Sequence, residues 1–300
     1  MRPFYTLDVF TDRRLEGNPL AVVMEADGLE TAEMQRIARE FNLSETVFVQ
    51  KPANPAHTAR IRIFTPLQEL PFAGHPTVGT AALLAELRAP GLGSSREAIV
   101  VLEEEVGVVR VGVRLAANQA PFAEFDAPKL PVEYGTPPSV EQVAAALQLL
   151  TSEIGFANHK PTRYSAGVPF TFVPIASLDA IAKARADSGA WATAFGNDSH
   201  SAAYLYCRET VHNTSGLHAR MFWPGIGEDP ATGSAAVALA GVLTHFDMPP
   251  DGFHRRVIEQ GFEMGRPSLI TLSLEVDGHK LHNVRIGGHA VRVTEGKISV

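Results

Sequence analysis

One short pattern occurs twice in this 300-residue chain, and it constrains the fold more than any other feature. The first copy reads Phe64-Thr65-Pro66, then Leu70-Pro71-Phe72-Ala73-Gly74-His75, then an apolar segment. The second reads Phe222-Trp223-Pro224, then Asp229-Pro230-Ala231-Thr232-Gly233-Ser234, then another apolar segment. Pro71 pairs with Pro230, Gly74 with Gly233 and His75 with Ser234, at a constant offset of 159 residues. The second copy has one extra residue between its prolines. A strand–loop–glycine–helix order that repeats around such a pattern predicts an internal duplication.

The flanking segments support two similar halves. In the first, Leu20–Met24, Thr46–Val49 and Ala59–Phe64 are short, β-branched runs bounded by Gly, Pro or Asn, which predicts strands. Glu30–Phe41 carries a helical period through Met34, Ile37, Ala38 and Phe41. Pro76–Leu87 is apolar on nearly every side, so it predicts a buried helix, and strands follow at Ala98–Leu102 and Val106–Val113. The second half repeats the order with Ala219–Trp223 as a strand, Ala235–Thr244 as an all-apolar helix, and strands at Val257–Glu259 and Leu269–Val276. Five prolines between Ala116 and Pro138 mark the expected linker.

The net charge of −7 and the absence of any run of five or more clustered Lys/Arg argue against nucleic acid and anionic membranes as main partners. A small anionic substrate stays open, because a local pocket can oppose the global charge. The N-terminus lacks the apolar stretch and cleavage site of a signal peptide, and no uncharged apolar run is long enough to span a bilayer. The expected compartment is the cytoplasm. The single cysteine, Cys207, lies in an apolar run read as a strand, so chemistry needing two thiols is excluded. Neither HExxH nor Cys/His zinc spacing occurs, and Gly-His-Pro and Gly-Ser-Ala do not match phosphate-loop or dinucleotide fingerprints. We therefore expect no zinc site and no nucleotide cofactor.

The first amides of a helix lack intrahelical acceptors and carry the positive end of its dipole, and a glycine before them lets a ligand approach. Each copy of the repeat is thus a possible anion site. If the halves face each other across a pseudo-twofold axis, both helix starts converge on one interlobe cleft. Glu45 sits where an amphipathic helix gives way to an apolar strand, a setting that desolvates a carboxyl and suits acid–base work. His75 and Asp229 lie at the two helix starts. Each has a plain structural reading: Glu45 as a solvated loop residue, Asp229 as a turn residue before proline, His75 as a satisfied helix-end residue. His212 and His218 read as members of one polar loop without metal spacing.

Six blocks carry a family resemblance. They are Gly17-Asn18-Pro19-Leu20-Ala21-Val22-Val23, Ser44-Glu45-Thr46-Val47-Phe48, Glu69 to Thr77, Glu228 to Ala235, Gln260-Gly261 with Met264 to Ser268, and Val284 to Val291. In this order they resemble the signature of PhzF-like phenazine-biosynthesis proteins. The resemblance implies an α+β, diaminopimelate epimerase-like fold of two similar lobes related by a pseudo-twofold axis. Each lobe is then a curved, mostly antiparallel sheet around a central helix. The expected division is 1–117 for the N-terminal lobe and 118–286 for the C-terminal lobe, with 287–300 a C-terminal segment open to returning to the first. The resemblance further implies Glu45 as the proton shuttle, with His75 and Asp229 in support. Asn18, Ser44, Gly74, Pro76, Thr77, Gly233, Ser234 and Ala235 are the expected substrate-binding set. It implies a cofactor-independent isomerase, expected as a homodimer, acting on a small, cyclic carboxylate or amino-acid-like molecule. An epimerase of a related acid and a silent carboxylate-binding protein are the alternatives. Racemases of the wider superfamily use a cysteine at each helix start, where this chain has His75 and Ser234.

Overall fold

The computed structural model describes residues 1–89, 95–197, 201–223 and 227–300. Pro224 of the second repeat copy therefore lies outside the described residues. The chain is mixed α and β, rich in strands and poor in helix. It divides into two compact units, Met1–Pro128 with Gly287–Val300, and Lys129–Ile286.

The first unit contains β1 (Arg2–Val9), β2 (Asn18–Val23), α1 (Thr31–Phe41), β3 (Glu45–Gln50), β4 (Ala59–Phe64) and β5 (Glu69–Leu70). Then come α2 (Gly74–Arg88), β6 (Arg96–Glu104), β7 (Gly107–Leu115) and β8 (Phe122–Asp126). In α1 a capping box between Glu30 and Glu33 secures the start, Asn42 closes the end in the left-handed conformation, and Met34, Ile37 and Ala38 are buried. The strand β2 runs antiparallel to β1 and parallel to β3, with Leu20 opposite Glu45. Buried from Gly74 to Ala85, α2 packs on β1, β2, β3, β6, β7 and β8. Gly79 allows this approach: a Cβ there would fall 2.7 Å from both Leu20 Cδ2 and Val9 Cγ2.

The second unit contains β9 (Val132–Glu133), α3 (Val140–Leu147), β10 (Thr162–Ser165), β11 (Pro169–Pro174), α4 (Leu178–Lys183) and α5 (Ser188–Phe195). It continues with β12 (Ala203–Cys207), β13 (Leu217–Trp223), β14 (Gly227–Asp229), α6 (Gly233–Asp247), β15 (Gly252–Gln260) and β16 (Ser268–Asp277). The last strand, β17, spans Lys280–Ile298, and its C-terminal part pairs antiparallel with β1 in the first unit. The helix α6 packs on β9, β10, β11 and β16. Gly241 plays the role of Gly79, since a Cβ there would lie within 2.8 Å of the Tyr164 ring and Pro131.

Two sequence expectations need correction. The Pro-rich segment 116–138 is not a bare linker. Phe122, Ala123 and Phe125 are buried, and their strand β8 hydrogen-bonds to β7, so the first unit continues past 117 to Pro128. His218 is not in a loop: it lies on β13, fully buried, while His212 stays in the preceding loop.

Candidate active site

The first unit brings Glu45 and His75 together. Parallel pairing of β2 with β3 sets the first residue of β3, Glu45, opposite Leu20. The close seat of α2 on β1 and β2 carries His75, in its first turn, to the Pro19 carbonyl, which its ring engages in a hydrogen bond. His75 Nε2 stands 3.2 Å from Glu45 Oε2, off the line of an aligned hydrogen bond. Since Nε2 has no such bond, Nδ1–H is the ring's donor to Pro19. Burial pushes His75 down to about 3, and the Pro19 carbonyl opposes that only partly. The ring is therefore neutral near pH 7 and presents an Nε2 lone pair to Glu45. Glu45 is not the solvated loop residue of the plain reading: its side chain is 16% exposed at the mouth of a strand.

Asn18 is buried at the start of β2, beside Pro19, and its neighbour Gly17 has no room for a side chain. At φ +67°, a Cβ on Gly17 would meet the Val9 carbonyl at 2.4 Å. Ser44 is half-buried next to Glu45, and Gly74 and Pro76 are buried at the start of α2. The start of α2 carries no side-chain cap. Thr77 is fully buried with its hydroxyl turned inward, 2.8 Å from the Ala73 carbonyl and 2.9 Å from Glu104 Oε1.

In the second unit a polar network holds Asp229. Thr232 Oγ1 donates to Asp229 Oδ2 at 2.5 Å, so Thr232, at the start of α6, orients the carboxylate rather than capping the helix. Gln260, fully buried at the end of β15, uses its whole side-chain amide. Its Nε2 donates to the Asp229 carbonyl at 2.8 Å and to Thr232 Oγ1 at 2.9 Å. Its Oε1 accepts from Thr232 N at 3.1 Å and from the Tyr204 hydroxyl at 3.2 Å. Gly261 follows at φ +80°, where a Cβ would meet the Pro230 carbonyl at 2.6 Å. Gly233 and Ala235 are buried and Ser234 is half-buried.

A charged cluster anchors the strand that carries Asp229. Arg220 on β13 grips Glu228 with two parallel bonds of 2.7 and 2.8 Å, and its other nitrogen donates to the carbonyls of Ile181, Ala182 and Ala184. On the same strand, His218 sits 3.1 Å from Glu259 and 2.9 Å from Glu263. Burial alone would lower His218, but hydrogen bonds to both carboxylates and their charge raise it to about 9. Sequence reasoning missed Gln260, Thr232, Arg220 and His218 as supports. The signal for Gln260 was its place in the Gln260-Gly261 block. Among the described residues, no group of three or more His, Cys, Asp or Glu side chains is arranged to hold a metal ion. No helix among them is long and apolar enough to cross a membrane.

The comparisons with known proteins agree with the blocks. The sequence matches the phenazine biosynthesis-like protein family, PhzC-PhzF, over residues 7–296. The chain belongs to that family. A protein of Mesorhizobium japonicum named as an uncharacterized isomerase is 53% identical, covering 100% of this chain and 99% of its own. The trans-2,3-dihydro-3-hydroxyanthranilate isomerase of Pseudomonas chlororaphis is 34% identical over 99% of each chain. Among solved structures, the PhzF-family phenazine biosynthesis protein of Bacillus anthracis aligns with a TM-score of 0.88 at 26% identity, covering 100% of this chain and 99% of that one.

Proposed function

We propose that this PhzC-PhzF protein is an isomerase that moves a proton on a small, cyclic carboxylate or amino-acid-like substrate, with Glu45 as the group that carries the proton and with no metal or organic cofactor. The observation that carries the reading is the Glu45–His75 pair. A neutral imidazole whose Nδ1–H is spent on Pro19 turns an acceptor toward the carboxyl group at 3.2 Å. Two lone pairs at that distance repel, and one proton between them turns the repulsion into a hydrogen bond. The pair is therefore suited to accept, hold and return a single proton. In the step proposed, the Glu45 carboxylate takes a proton from a substrate carbon, and that C–H electron pair becomes part of the shifted double bond. The former double bond then takes the proton back from Glu45 at its far carbon. His75 stabilises the loaded carboxyl between the two events.

Asp229 is assigned a supporting role on the family blocks alone, and the Thr232 bond to its carboxylate and the Gln260 bond to its backbone carbonyl are consistent with it. The amides at the uncapped start of α2 are proposed to receive the substrate carboxylate. Homodimer formation is part of the same proposal and is tested by the solution mass.

The test is turnover of trans-2,3-dihydro-3-hydroxyanthranilate, the compound named for the 34% identical relative, in deuterated water. The expected product has a shifted double bond, with deuterium at the new C–H in the fraction of turnovers in which the proton on Glu45 exchanges with solvent before it is returned. Glu45→Gln should remain folded while its rate falls by about 10² to 10⁴. Near-normal turnover by Glu45→Gln would remove Glu45 from the mechanism. Deuterium gain with inversion and no shifted double bond would make the protein an epimerase.

A further inference from the structure

Glu104 is a buried carboxyl group that the reaction above does not use. It ends β6, on the inward face shared with Val100 and Leu102, and it is 8% exposed. Its Oε1 lies 2.9 Å from Thr77 Oγ1, and its Oε2 has no hydrogen-bond partner among the described residues. Thr77 Oγ1 also lies 2.8 Å from the Ala73 carbonyl. A threonine hydroxyl carries one hydrogen, so it serves one of these two oxygens well and not both. The conflict vanishes when Glu104 carries its own proton: the acid donates to Thr77, and Thr77 donates to Ala73. It also leaves the orphan Oε2 as a neutral carbonyl oxygen, far cheaper to bury than half of a carboxylate.

We propose that Glu104 is a positioning residue, a neutral carboxylic acid that donates to Thr77, fixes the first turn of α2 and so holds His75 against Glu45. This rests on the acid–base reading of that pair. Thr77 is then a link in the frame and not a substrate contact.

Among the described residues, no neighbouring charge rescues an ionised Glu104. On β4 and β5, Arg62 is committed to Glu69 at 2.6 Å. Arg60 of β4 lines the groove beside Glu104 without pairing with it. On β6 itself, Glu103 is engaged by His57 at 2.7 Å, and Glu105 follows in the turn. Arg110 and Arg114 of β7 point to the exposed face. From α2 the near titratable group is His75, neutral by burial. Burial accordingly pushes Glu104 up to about 8, with the Thr77 bond opposing.

Two measurements test this without any turnover. In protein labelled with ¹³C at the glutamate carboxyls, wild type should show one signal with a midpoint near 8 that is missing from Glu104→Gln. The melting-temperature gain of Glu104→Gln over wild type should widen from pH 4.5 to 8 and then level off, because a raised carboxyl loses its stabilising proton across that window. A Glu104 that titrates in the ordinary carboxyl range overturns the proposal, whatever the substrate proves to be. The positioning role is read from kcat/KM against pH. Wild type should lose activity as pH rises through about 8, and Glu104→Gln, whose amide still donates to Thr77, should hold its activity there. Glu104→Ala should fall by on the order of tenfold to a hundredfold at pH 7, mostly in kcat. An unchanged alkaline limb in Glu104→Gln, or an unimpaired Glu104→Ala, would reduce Glu104 to packing.

Discussion

His75 in the first unit and His218 in the second are both buried, yet His75 is held at about 3 and His218 at about 9. The first meets a backbone carbonyl and one carboxyl at an angle unfit for a strong bond, so desolvation dominates. The second lies between two carboxylates at hydrogen-bond distance, and they reverse the effect of burial. The contrast separates their uses. A buried histidine without a firm counter-charge stays neutral and can answer to a proton on its neighbour. One locked between two anions is a fixed cation and works as a brace.

The supporting frames differ in the same way. Around Glu45 and His75 the frame is packing: an apolar helix seated on β1 and β2 through Gly79. Around Asp229 it is polar, made of the saturated Gln260 amide and the Arg220–Glu228 clamp.

Making His218 more like His75 should have a large effect on stability. Glu259→Gln removes one of its two anions and should cost about 3–5 kcal/mol at pH 7, with the His218 midpoint dropping toward the ordinary range. Chemical denaturation and a histidine NMR titration check both parts. An unchanged midpoint would show that Glu263 alone sets the cation. At least as large, Gln260→Leu leaves Thr232 N, the Tyr204 hydroxyl and the Asp229 carbonyl without their partner, at about 1–3 kcal/mol for each group that water cannot reach. Turnover should fall with it while the His75 signals stay in place. Loss of the His75 signals instead would mean that the two frames are not independent.

The smallest effect is in the pH dependence, where the two histidines should leave opposite signatures. The His218 contribution is complete below about pH 6.5 and is lost as pH rises through about 9, because its folded value is raised. The His75 contribution is complete above about pH 6.5 and is lost as pH falls toward about 3, because its folded value is lowered. Melting temperatures of His218→Gln should therefore approach wild type on the alkaline side, and those of His75→Asn on the acid side. The same trend in both variants would erase the contrast.

The duplicated pattern was legible because glycine and proline mark sharp turns, and each copy opens an apolar helix: α2 and α6 start at Gly74 and Gly233. Strand edges were read within a few residues where β-branched runs stand alone, as at Ala59–Phe64. The strand β8 was hidden by its flanking prolines, and β17 by its glycines and charges. His218 was misread because Thr214, Ser215 and Gly216 before it suggest a loop, while its two anions lie more than forty positions away in sequence, at Glu259 and Glu263. Glu104 was invisible for a related reason. Glu103, Glu104 and Glu105 look alike as a string, and only strand alternation turns the middle one inward. Buried partners distant in sequence decide charge state, and no local pattern reports them.

The proposed proton transfer requires a neutral His75 that offers Nε2 to Glu45. The direct measurement is a ¹H–¹⁵N spectrum of the histidine side chains, assigned with His75→Asn and followed from pH 8 to pH 5. The expected result is a His75 ring protonated at Nδ1 alone, with no change across the range. A ring that becomes an imidazolium near pH 6.5, or one protonated at Nε2 while neutral, would contradict the account.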